Sequence, residues 1–126
     1  MHIQLDFRSG QPIYMQIVEQ VRQLIVRGEL KLGDQLPTVR QLAADLRVNF
    51  NTVARAYRLL DEAGLISTQH GRGTYVWEIP DEETSRRLRW QGLREMCEQF
   101  VQEVFQLGYT LDELSQEFEN ALNTRK

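Results

Sequence analysis

Apolar residues near the start of the chain recur at helical spacing. Ile13, Ile17, Val21, Leu24 and Ile25 follow Pro12, a residue suited to a first turn, and Gly28 comes directly after Arg27 as a stop. The spacing predicts a first helix there. A connector, Leu30 to Pro37, leads to Thr38-Val39-Arg40-Gln41, a capping box in which the threonine accepts from the Gln41 amide and the glutamine reaches back. Leu42, Ala43 and Leu46 give the second helix a short inner face. Only Arg47-Val48-Asn49 separates it from a third pattern, in which Val53, Ala56, Tyr57 and Leu60 form the inner stripe and Asn51, Ala54, Arg55 and Arg58 turn outward. Gly64 closes that helix. So tight a junction between two helices is a helix-turn-helix signal.

After Gly64 the period changes. Leu65 to Gln69 and Thr74 to Trp77 are short β-prone stretches on either side of His70-Gly71-Arg72-Gly73, which predicts a hairpin. Residues 78–81 read as a linker. From about Glu82 to Leu107 the positions Trp90, Leu93, Met96, Cys97, Phe100, Val104 and Leu107 share one face of a long helix that Gly108 ends. A second capping box, Thr110-Leu111-Asp112-Glu113, opens a last helix striped by Leu114, Phe118, Ala121 and Leu122. The expected fold is mainly α with a small β-hairpin wing, a winged helix-turn-helix on residues 1–77, plus a two-helix C-terminal dimerisation unit on residues 82–126.

Composition narrows the function classes. A chain of 126 residues, 41% hydrophobic and 26% charged, has the makeup of a soluble globular protein and room for one ordinary domain or two small ones. It is too short for an enzyme with separate cofactor and substrate domains. No segment approaches the roughly 20 apolar residues of a membrane helix, and no secretory signal is readable, so no membrane partner and a cytoplasmic location are expected. The net charge of −3 conceals an asymmetry. Residues 1–77 hold nine Lys/Arg against seven Asp/Glu, a balance of +2, and residues 78–126 hold six against eleven, or −5. An N-terminal part facing an anion fits that division.

The runs Leu36 to Ala43, Val48 to Val53, Glu62 to Ile66 and His70 to Val76 resemble the N-terminal domain of GntR-family transcription regulators. The short two-helix tail is similar to that of the YtrA-like branch. The resemblance implies a DNA-binding role in which Arg40 contacts a base or phosphate, Thr52 stands at the start of the recognition helix, and His70 with Gly71 form a wing tip entering the minor groove. It also implies control of the protein's own operon. Many relatives carry arginine where Phe50 and Ala54 stand here.

The residues themselves suggest further contacts. Thr38 and Asn49 begin the two motif helices. Asn49 is equally well read as a cap and as a DNA contact, whereas Asn51 has no capping duty and favours an adenine edge. Phe50 reads as packed beside the second helix in preference to touching a thymine methyl. Arg55 is tipped towards phosphate contact by its place on the recognition helix, Arg58 stays evenly balanced, and Arg72 suits a narrow minor groove. The DNA-binding set is thus Thr38, Arg40, Asn49, Asn51, Thr52, Arg55, His70, Gly71 and Arg72.

An enzyme needs a constellation that is missing. His2, in a stretch read as flexible, and His70 have no partners at ligand spacing, so no catalytic site, metal or cofactor is expected. Cys97, on the apolar stripe, reads as a buried structural thiol. Trp90, Leu93, Met96, Phe100, Val104, Leu114 and Phe118 are the expected dimerisation residues, because one short helix cannot cover them all. The expected function is a sequence-specific transcription regulator, a repressor, binding a pseudo-palindromic operator in double-stranded DNA as a homodimer. No small-molecule effector is identified; two helices leave little room for a pocket, so an effector would bind at the dimer interface. The rival reading is a winged-helix module that binds protein.

Overall fold

A computed structural model describes residues 1–69 and 72–125. The chain divides into two compact units, Met1–Trp90 and Gln91–Lys126. The first unit holds helices α1 (Ile13–Val26), α2 (Val39–Leu46) and α3 (Phe50–Glu62), strands β1 (Gln35–Leu36), β2 (Ile66–Gln69) and β3 (Gly73–Val76), and the start of α4 (Glu82–Gln106). The second contains the rest of α4 and α5 (Leu111–Thr124).

Each of the expected helices forms, and α2, α3 and α5 begin at the side-chain caps the sequence supplies, Thr38, Asn49 and Thr110. Thr38 Oγ1 accepts from the Gln41 amide at 3.0 Å while Gln41 Oε1 accepts from the Thr38 amide at 2.9 Å, so two otherwise orphaned donors are satisfied at the start of α2. At its end Arg47 takes the left-handed conformation, φ +57°, a sharp turn that lets Asn49 begin α3 two residues later. Val53, Ala56 and Leu60 of α3 are fully buried against α1, whose Ile17, Val18, Val21 and Ile25 supply the facing surface.

The wing is a three-stranded antiparallel sheet in the order β1-β3-β2, with Ile66 opposite Val76 and Gln69 opposite Gly73. Strand β1 has no counterpart in the sequence pattern; it pairs Gln35 with Tyr75 and Leu36 with Thr74. Gly73 is required at its place. Its φ is +106°, a conformation that residues other than glycine rarely adopt, and a Cβ there would also displace the end of the Gln35 side chain, whose Nε2 would stand 2.5 Å away.

Three findings differ from the sequence expectations. The N-terminal stretch read as flexible is docked: Gln20 exchanges hydrogen bonds with both backbone groups of Gln4 (2.9 and 2.7 Å), and buried Gln16 does the same with Asp6 (2.8 Å each). These two glutamines act as a strand partner, and Ile3 enters the core. Leu88 is also buried in the first unit. Cys97, expected to be buried, is exposed, because within its unit nothing covers that side of α4.

Tyr57 ties the motif together. Its hydroxyl donates to the Pro37 carbonyl at 2.6 Å, joining α3 to the residue ahead of the α2 cap, and burial pushes the phenol well above its ordinary pKa. Because the folded form holds this proton more tightly than the unfolded chain, stability is intact below pH ~10 and falls above it by up to about 1.4 kcal/mol per pH unit. Tyr57→Phe should cost about 1 kcal/mol at neutral pH and make the alkaline decline shallower, as read by urea unfolding between pH 7 and 11. An unchanged alkaline slope would remove Tyr57 as its source.

Candidate nucleic-acid interface

The tight α2–α3 junction brings the first turns of both helices together. Arg40, at the second position of α2, is exposed and holds its guanidinium 5.9 Å from the centre of the Phe50 ring, which opens α3. Thr38 is exposed beside it, its hydroxyl engaged in the cap. Asn49 caps α3, with Oδ1 accepting from the Asn51 amide at 2.7 Å, and the Asn51 side chain is exposed within the first turn. Thr52 is half-buried. The N-terminal turn of α3 therefore gathers polar side chains at the positive end of a helix dipole, a setting that suits a polyanion.

Of the two arginines of α3 expected to face outward, Arg55 departs from the pattern and Arg58 keeps it. Arg55 is half-buried, its guanidinium stacked 3.9 Å from the centre of the Tyr14 ring of α1. This contact holds the arginine against α1. Arg58, fully outward, forms an exposed ion pair with Glu62 at 3.9 Å, one turn on. Phe50, read from the sequence as packed beside α2, has its ring centre 5.9 Å from the Arg40 guanidinium and is 48% exposed.

In the wing, Arg72 is exposed at the start of the returning strand, its amide donating to the Gln69 carbonyl at 2.9 Å and its carbonyl accepting from the Tyr75 hydroxyl. The backbone is thereby fixed while the guanidinium projects. His70 and Gly71 lie outside the described residues. Among the described residues no group of three His, Cys, Asp or Glu side chains stands close enough to hold a metal ion.

The second unit lacks an interior. No residue of α5 is buried, although Thr110 and Glu113 complete its capping box and the Phe100 and Phe118 rings meet at 6.2 Å. Met96, Val104 and Leu114 are half-buried; Leu93, Phe100 and Phe118 are each almost half exposed. Trp90, last residue of the first unit, is exposed as well. The exposed set also includes Val101, Phe105, Leu111 and Leu122, which the sequence reading did not assign to an interface. Val101 and Phe105 each follow a stripe residue by one position and widen the stripe, a signal that was readable.

Residues 13–76 match the family described as bacterial regulatory proteins, gntR family. The HTH-type transcriptional repressor YtrA of Bacillus subtilis (strain 168) is 39% identical over 112 residues, which cover 89% of this chain and 85% of the relative. Among solved structures, YtrA from Sulfolobus acidocaldarius, a GntR-family transcription factor, is 40% identical with a TM-score of 0.59, covering 73% of this chain and 97% of that one. AraR(DBD) in complex with operator ORX1 is 26% identical with a TM-score of 0.54, covering 60% of this chain and 98% of that one.

Proposed function

Because the chain belongs to the GntR family of bacterial regulatory proteins, a family of DNA-binding transcription regulators rather than enzymes, we propose that it is a homodimeric repressor reading a pseudo-palindromic operator. Residues 1–77 do the reading and residues 82–126 the pairing. The observation that carries the reading is the meeting of Arg40 on α2 with Phe50 on α3, which puts the exposed first turns of both motif helices on one surface.

The DNA-facing set is Thr38, Arg40, Asn49, Asn51, Thr52, Arg55 and Arg72, joined by His70 and Gly71 at the wing tip. The N-terminal turn of α3 enters the major groove, where Asn51 offers a bidentate amide to adenine and Arg40 a planar fork to guanine. Arg72 enters the adjacent minor groove, whose negative potential is greatest where it is narrow. Arg55, stacked on Tyr14, points its charge at the phosphate backbone.

Pairing follows from the apolar faces of α4 and α5. A unit whose larger side chains stay half exposed cannot be stable on that account alone, and a second copy supplies the missing cover at Leu93, Met96, Phe100, Val104, Leu114 and Phe118, with Trp90 at the margin. Cytoplasmic residence accords with this role, and no helix among the described residues is long and apolar enough to cross a membrane.

Retardation of DNA from upstream of the protein's own gene tests the reading. Affinity should fall with salt, log K decreasing by roughly 0.9 per phosphate neutralised for each tenfold rise in salt concentration. Binding that ignores salt, or no binding to any selected sequence, would favour the protein-interaction alternative.

A further inference from the structure

Phe50 is the first residue of α3 and is 48% exposed, while its neighbours Val53, Ala56 and Tyr57 are taken into the core. A phenylalanine half in water at the start of a recognition helix is unused apolar surface. One side of it is not open, however: the Arg40 guanidinium lies 5.9 Å from the ring centre. The planar fork of Arg40 and the exposed surface of the ring are therefore presented from two helices at the same place. We infer that Phe50 is a specificity-determining residue whose ring takes the 5-methyl group of a thymine in the major groove, next to the base pair addressed by Arg40.

The chemistry favours a thymine over other apolar occupants. In the major groove the only apolar group a base pair offers is the thymine methyl, and aromatic or aliphatic side chains are its usual partners. The first residues of a recognition helix reach base edges, and Phe50 precedes Asn51, the amide suited to an adenine. Arg40, Phe50 and Asn51 would then read a guanine edge, a methyl and an adenine edge on neighbouring steps. This inference rests on the DNA-binding reading proposed above.

The test uses the full chain and a duplex selected from a random pool, with each thymine replaced singly by uracil, which removes the methyl and leaves every hydrogen-bonding group in place. At one thymine in each half-site the parent should bind the uracil duplex about fourfold more weakly, the effect of one methyl. In Phe50→Ala that penalty should vanish, and in Phe50→Leu, which keeps an apolar side chain, part of it should remain. A parent that binds the selected duplex but is indifferent to every uracil, or a Phe50→Ala variant that keeps the penalty, overturns the assignment while leaving DNA binding intact. If no duplex is selected at all, the DNA-binding reading fails and this inference with it. Unchanged helical content by circular dichroism in both variants assigns any change to the interface.

Discussion

Phe100→Asp is expected to turn a dimer into a monomer and to lower affinity for the whole operator by about 100-fold or more, with every DNA-facing side chain still in place. Phe100 sits at the middle of the apolar stripe of α4, almost half exposed within its own chain, and its ring meets Phe118 at 6.2 Å. Across a two-fold axis the exposed half would be covered by the other copy. An aspartate there is a charge among apolar groups with no partner, which costs on the order of several kcal/mol. Each half-site is then read by an independent monomer, and the effective-concentration gain of linked sites disappears. Sedimentation of parent and variant, paired with binding to whole and half operators, gives the outcome. A variant that still sediments as a dimer, or a monomeric parent that binds a half-site with full affinity, would sink the pairing model.

What the sequence made legible was mainly local. The two capping boxes, Thr38 with Gln41 and Thr110 with Glu113, form as their spacing requires, because both partners lie within one helical turn and nothing distant is needed. The same holds for the inner stripe of α3 and for the hairpin that opens at Ile66. Features that depend on distant segments were not legible. Strand β1 is two residues long, too short to alternate, and exists because β3 lies beside it. Leu88 stands among Arg86, Arg87 and Arg89, and two residues before Trp90 it falls about 160° around the helix from that residue, off the centre of the stripe. Gln16 is polar in an apolar run, and its hydrogen bonds to the backbone of Asp6 and Gln11, segments outside its helix, make its burial favourable.

The candidate site divides along the same line. Asn51 and Arg72 were legible from their places in the first turn of α3 and in the hairpin turn, and Arg40 from the family resemblance. Their neighbours were not: the stacking of Arg55 on Tyr14 needs α1 packed against α3, and the approach of Arg40 to Phe50 needs the turn at Arg47. Cys97 shows the converse limit. A stripe identifies residues that require cover, but what covers them is outside the chain's own pattern, and within its unit the thiol is exposed.

Arg40→Ala should weaken operator binding by about 5- to 140-fold, the equivalent of about 1–3 kcal/mol, if the guanidinium pairs the O6 and N7 of a guanine. The residue is exposed, with its guanidinium 5.9 Å from the centre of the Phe50 ring, and its planar fork matches the two acceptors of a guanine edge. The loss should be specific: on duplexes already altered at that guanine, parent and variant should bind alike. Arg40→Lys separates the two roles open to this position. Lysine keeps the charge but not the fork, so it preserves a phosphate contact and loses most of a bidentate base contact. A phosphate role would leave Arg40→Lys near parent affinity, weaken Arg40→Ala equally on every sequence and reduce the salt slope by about 0.9. Binding by Arg40→Ala that matches the parent on both selected and random duplexes would take Arg40 out of the interface.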